Sequence, residues 1–256
     1  MNTPALPLLP LLISPALLAA DAGLDQLRRG SCDTPEPGLD LRHCSFAGRH
    51  MPGVDLSGSR LDGVDFSNAR LPGCKLQNAT LSGTDLKWAN LVDCDLSHAN
   101  LDAADLFHTT FDGSRMVQAS FRRANLFGAN LNEVQAEGSR FNHAYMKDVA
   151  MEEGIFDHAD FSQAFMQRAV LIGSSLKQAR LHEAVLTGAA LEDSNLAGAD
   201  LTRALINGAR LDRADLRGAD FRAARLTHAV LDGARLDGAQ NLPEMVQPVI
   251  DNGQEH

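Results

Sequence analysis

Nine histidines, four cysteines and 33 carboxylates are the side chains here that could carry acid, base, nucleophilic or metal chemistry. No two histidines lie 20 residues apart, so no pair would stack to share a metal ion if four five-residue units close a coil. Cys44, Cys74 and Cys94 fall on one inward position of a five-residue pattern, where cysteine acts as a compact apolar residue. Cys74 and Cys94 are four units apart, and if four units close a coil they stack about 4.8 Å apart, inside the Cα range a disulfide allows. The sequence leaves open whether they are bonded, and four cysteines are too few for a disulfide framework. Two cysteines without a histidine beside them do not make a zinc site. The Asp and Glu residues sit at outward positions of a convex surface, whereas general acids and bases need a sheltered concavity to shift their pKa. The many glycines recur at corners and never form a phosphate loop at a strand-to-helix turn. The sequence therefore predicts no catalytic residue, no metal and no cofactor.

The element that must position these side chains is a repeat. Every residue whose number ends in 1 or 6, from Leu41 to Leu236, is Leu, Ile, Met or Phe, apart from Ala136. Two residues before these centres the chain is nearly always small, as at Ala69, Ala79, Ala89, Ala99, Ala104, Ala119, Ala124 and Ala129. A period of five fits neither the 3.6 of a helix nor the 2 of a strand. The repeat itself is the structural unit. At Ala136, Met116 and Phe156 are expected to fill the gap and let the fold continue with slight narrowing.

The blocks Ala124 to Gly128 (Ala-Asn-Leu-Phe-Gly) and Ala214 to Gly218 (Ala-Asp-Leu-Arg-Gly) resemble the A(D/N)LXX units of the pentapeptide-repeat family. The resemblance implies an all-β fold: a right-handed quadrilateral parallel β-helix of about ten coils, four pentapeptides to a coil. It is strongest to the quinolone-resistance members, which bind DNA gyrase and have uninterrupted repeats. This chain departs from them in its weak net charge, its apolar leader and a tail broken by Pro243 and Pro248, and it lacks the loop insertions some of them carry. Family members that bind topoisomerases also pair two rods through a C-terminal helix, which these prolines leave short.

With 20 residues per coil the outer surface divides into four faces, named by their centres: first (Leu41, Leu61), second (Phe46, Phe66), third (Met51, Leu71) and fourth (Leu56, Leu76). The second face carries Trp88, Phe107, Phe127, Tyr145, Phe165, Val185 and Leu205 outward, with Ala150, Val170, Ile172 and Ala190 beside them on the third. Asp65, Asp85 and Asp105 hold the slot of Tyr145 in earlier coils, so the change is local. A contiguous apolar side on a rod marks an interface, for which aromatic residues are typical anchors, or is covered by the apolar leader folding back, whose Leu and Ile residues would suit it. The third face carries Asp93, Asp112, Glu133, Glu152, Glu153, Glu192, Asp193, Asp212 and Asp232 against Arg70, Arg210 and Arg213. Such a row could present a basic groove with a potential like that of DNA phosphates. The first face leans positive, with Arg122, Arg123, Arg140, Arg180, Arg203 and Arg222. Of the net charge of −10, much lies outside the repeats.

Three segments are expected: a leader and linker over 1–38, the β-helix over 39–240, and a cap or tail over 241–256. Residues 4 to 20 are apolar like a secretory core, and Ala20-Asp21-Ala22 offers a cleavage site. Yet no Lys or Arg precedes Arg28, and four prolines interrupt the stretch, which also makes it a poor membrane span. Residues 21–30 are expected to form a short helix, Leu39 and Arg49 mark an imperfect first coil, and the tail a short helix or flap over the open end. Two functions from different classes follow. One is a cytoplasmic, DNA-mimicking binder of DNA gyrase that protects it from poisons. The other is a scaffold, exported if residues 1–22 are a signal, that docks a protein partner or its own copy as a homodimer through the aromatic side. Neither needs direct contact with nucleic acid or a membrane.

Overall fold

The computed structural model describes residues 27–243. The apolar leader with its expected cleavage site at Ala22, and the expected cap or tail beyond Pro243, lie outside the described residues. Among the described residues no helix is long and apolar enough to cross a membrane.

Parallel bridges join every residue numbered in 0 or 5 to the residue 20 further on, from Asp40↔Arg60 to Asp220↔Gln240. Twenty residues therefore close one coil, and each coil holds four five-residue units. The unit Asn125 to Ala129 accounts for all its backbone amides. Leu126 N donates to Tyr145 O above at 2.7 Å and Asn125 N to Ala104 O below at 2.9 Å. Gly128 N donates to Lys147 O at 3.1 Å, and Ala129 N closes the corner on Leu126 O at 3.1 Å. The remaining amide, Phe127 N, is met by the Asn125 side chain, whose Oδ1 accepts at 3.3 Å. Asp or Asn before the centre thus has a physical reason: it satisfies the one amide that neither corner nor ladder reaches. Ser57, Ser67 and Val92 repeat the bond on Asp55, Asp65 and Asn90.

The centres and small residues form one continuous core, with Phe121, Phe141 and Phe161 stacked 4.9 Å apart along its first face. Each buried centre contributes about 2 kcal/mol, and only because the coils above and below cover it. The bridges Arg115↔Gln135 and Gln135↔Ile155 pass Ala136 without a break, between the fully buried Met116 and Phe156. The small position of the next unit is Gly154, and a Cβ there would lie 2.5 Å from Phe156 Cε2. The Phe156 ring has turned back over its own unit, into space that only glycine leaves.

The N-terminal end departs from the expected helix: Leu27 to Gly30 run under the first coil, where Asp40 N donates to Arg28 O at 2.9 Å and Gly30 N to Asp40 O at 3.0 Å. Gly30 is pressed against the core, since a Cβ would come within 2.6 Å of Leu41 Cδ2. Arg49, too large for its inward position, turns toward the incoming chain. Its Nη1 donates to Cys32 O at 2.5 Å and its guanidinium carbon sits 5.6 Å from the Phe46 ring centre. A residue that breaks the repeat thereby fastens the incoming chain.

The cysteines require a correction to the expectation of compact apolar thiols. Cys74 and Cys94 are bonded between coils at a Cα separation of 4.6 Å, and Cys32 is bonded to Cys44 at 5.4 Å. The first pair follows from the 20-residue register. The second follows from the return of the leader beneath the first coil, which the repeat does not dictate.

Candidate interaction faces

The second face holds its aromatic residues in one ladder. Trp88 meets Phe107 edge-on at 5.4 Å between ring centres; Phe107 stacks on Phe127 at 5.4 Å, Phe127 on Tyr145 at 6.0 Å, and Tyr145 on Phe165 at 5.4 Å. The bridges Phe165↔Val185 and Val185↔Leu205 continue the column. The ladder is oblique, because Trp88 leaves from a corner, Phe107 and Phe127 from the residue after a centre, and Tyr145 and Phe165 from the residue before one. His108, which the sequence reading left out, completes it: its ring lies parallel to Trp88 at 4.4 Å and edge-on to Phe107 at 4.4 Å. The signal was its place 20 residues after Trp88.

Exposure is uneven along the ladder. Trp88 is 56% exposed and Tyr145 41%, whereas Phe107, Phe127, Phe165, Val185 and Leu205 are half-buried by their neighbours. Stacking shelters the flanks of each ring and leaves the edges to solvent. Tyr145, Phe165, Val185 and Leu205 also occupy the position that holds Asp65, Asp85, Asp105 and Asn125 in the earlier coils of this face. Among the described residues, the amides of Lys147, Gln167, Thr187 and Asn207 consequently have no side-chain acceptor.

The third-face row keeps its order but divides into two electrostatic parts. Asp93, Asp112, Glu133, Glu152 and Glu153 follow one another on successive coils, with no ion pair to any of them among the described residues. Burial pushes the Asp112 carboxyl up from its usual range, and Glu133 and Asp93 add to the shift, while Asn130 Nδ2 donates to it at 3.1 Å. The next coil presents Ile172 and Gly173 in place of acids. Beyond that gap the arginines intervene. Arg213 grips Asp193 with two bonds at 2.7 and 2.6 Å and holds its carboxyl below the usual range. Arg210 reaches Glu192 at 2.9 Å and Asp212 at 3.6 Å. Glu192 is itself buried, so it adds little to an outward field. Asp232 stands exposed near the last bridges. The sequence counted these arginines against the row; only the packing localises their effect to one end.

A third cluster was missed altogether. Single ligand atoms of Cys32, His43 and Cys44 lie within 4.8 Å of one another at the N-terminal end. No spacing rule within the repeat finds it, because Cys32 belongs to the returning leader.

Residues 40–78, 73–106, 104–142, 156–188, 184–222 and 204–240 match a family model described as pentapeptide repeats, in eight copies. Among solved structures the chain is similar to HetL, a pentapeptide repeat protein involved in heterocyst differentiation regulation from the cyanobacterium Nostoc sp. strain PCC 7120. Identity is 26%, over 88% of this chain and 95% of that one, at a TM-score of 0.41. It is similar also to QnrB1, a plasmid-mediated fluoroquinolone resistance protein, in a trypsin-treated form: 19% identity, 78% of this chain, 96% of that one, TM-score 0.49. Rfr23, from the cyanobacterium Cyanothece 51142, gives 26% identity over 45% of this chain and 90% of that one, at a TM-score of 0.37. A search of the curated proteins finds no match.

Proposed function

The chain belongs to the pentapeptide-repeat family, and on that premise we propose that it is a non-enzymatic rod that docks a protein partner along the aromatic side of its second face. Family members are in general structural or interaction proteins. The finer architecture of a right-handed β-helix of about ten coils belongs to the same reading. Its main support is the ladder from Trp88 to Phe165, rings in contact over successive coils with their edges to solvent. A soluble rod gains nothing from such a patch unless something covers it. The loss of the Asp or Asn acceptor at Tyr145, Phe165, Val185 and Leu205 points the same way, since each substitution gives up a local hydrogen bond worth about 1 kcal/mol. The apolar leader and the two disulfides both suit an exported chain in an oxidising compartment.

A photo-crosslinker in place of Phe127, in the full chain in its host, should yield discrete products identifiable by mass spectrometry, and one in place of Arg115 on the fourth face should not. No product at position 127, or the same products at both, would remove this reading. Light scattering asks whether the occupant is a second copy: a dimer mass that falls to monomer in Phe127→Asp and Phe165→Asp makes it so, and a monomer throughout leaves a different protein.

A second reading, a cytoplasmic gyrase binder that mimics DNA, is favoured by the unpaired half of the acidic row, Asp93 to Glu153. It predicts inhibition of gyrase supercoiling, or rescue of gyrase from a quinolone, at micromolar protein. Glu133→Gln with Glu152→Gln should weaken the effect; a mature N-terminus after Ala22 in the host would end this reading.

A further inference from the structure

We propose that the reduced chain binds zinc at its N-terminal end through Cys32 Sγ, Cys44 Sγ and His43 Nε2. These atoms lie within 4.8 Å of one another, the two sulfurs because they are bonded. His43 Nε2 is 3.7 Å from Cys44 Sγ. A tetrahedral ion with Zn–S of about 2.3 Å and Zn–N of about 2.1 Å sets its sulfur and nitrogen ligands about 3.6 Å apart. That pair is therefore already at ligand spacing.

Contacts other than the disulfide also hold each ligand's backbone. His43 and Cys44 are consecutive corner and inward positions of the first coil, fixed when Cys44 N donates to Leu41 O at 2.8 Å. Cys32 is brought by the returning leader, which is held by the Arg29↔Asp40 bridge and by Arg49 Nη1 on the Cys32 carbonyl. The Arg49 charge also favours thiolate at that end. A shallow cleft lined by Arg29, Asp40, Arg42 and His43 opens beside the cluster, so water takes the fourth position. Asp40 is occupied by Arg42, whose Nε and Nη2 donate to it at 2.9 and 2.6 Å, and does not compete as a ligand. The other pair, Cys74 and Cys94, is sealed in the core with no histidine in its cluster.

In the disulfide both sulfurs are used and no metal binds. A dithiol reductant, oxidised to its own disulfide, supplies two electrons and two protons and leaves two thiols; zinc then displaces both protons as the thiolates bind it. The leader is thus fastened to the first coil by a sulfur–sulfur bond under oxidising conditions and by a metal under reducing ones.

Co(II), which reports thiolate ligation by colour, tests this on the full chain reduced with a phosphine under anaerobic conditions, its four thiols confirmed by titration. One equivalent should produce a thiolate charge-transfer band with intense tetrahedral visible bands, bleached by Zn(II) and absent from the oxidised chain. Cys74→Ser should keep the bands. His43→Gln, a change at an exposed residue, should weaken binding by more than the roughly 10–100-fold that loss of an outer-shell partner costs. No band in the fully reduced chain, a band unaffected by His43→Gln, or one abolished by Cys74→Ser would each overturn the proposal.

Discussion

Leu176 shows how much a single centre carries. It is fully buried, and its amide bonds upward to Asn195 O at 2.7 Å. Leu176→Asp would place a carboxylate with no partner in the core, a loss of about 4 kcal/mol or more. Urea unfolding should show the midpoint collapse, whereas Arg115→Asp, outward on the same face, should leave it nearly unchanged. Asp40 belongs to the same scale. Hydrogen bonding from Arg42, chiefly, holds its carboxyl down at about 2 against an ordinary 3.8. The folded group gives up its proton more readily than the unfolded one, so this contribution is complete above pH 3.8 and is lost as pH falls through about 2. An NMR titration should place the Asp40 midpoint near the lower figure, and Arg42→Ala should move it back toward the higher. Buried centres could be read from residue type alone. The Asp40–Arg42 pair could not, because the repeat places both residues outward without deciding which neighbour the long Arg42 side chain takes.

At the scale of the five-residue unit, the small inward position has room for Ala in most coils and for nothing beyond Gly at Gly154, because the Phe156 ring already fills the space. Gly154→Ala should cost about 1–3 kcal/mol by overpacking, measurable as a lowered urea midpoint, although Ala is the usual residue there. The periodicity identified the position as small; it could not foresee which way Phe156 turns. The two disulfides differ in the same manner. Cys74 and Cys94 are each 1% exposed inside the core, whereas Cys32 lies half-buried in the returning leader. A thiol reductant should therefore open Cys32–Cys44 first, and alkylation followed by mass spectrometry should find Cys32 and Cys44 labelled before the other pair.

The whole molecule is a stack in which each coil depends on its neighbours. Its interior coils have acceptors above and below. Among the described residues, the amides of Leu226, Leu231 and Leu236 have no acceptor from a further coil, and Leu231 and Leu236 are only partly buried. Hydrogen exchange should accordingly run as a gradient, faster at the partly buried Leu231 and Leu236 and slowest near the fully buried Leu126 and Leu131. Uniform protection along the rod would contradict a nearest-neighbour stack. The faces are also properties of this scale. The aromatic ladder and the acidic row exist because positions 20 apart lie in columns, and the ladder runs obliquely because an 18-residue step, from Phe127 to Tyr145, brings rings together as well as a 20-residue step does.

By itself the sequence determined the period, the buried centres and the small partners, because a five-residue repeat admits one register and burial follows from it; the closing of a coil at four units, which sorts outward residues into columns, came from the family resemblance. It also placed Cys74 beneath Cys94. Only the tertiary structure decided how the rod begins, with Gly30 under Leu41, Arg49 on the Cys32 carbonyl, and Cys32 beside His43 and Cys44. It decided as well that the acidic row is neutralised at one end and open at the other. These features depend on side-chain direction and on a segment outside the repeat, and neither is fixed by periodicity.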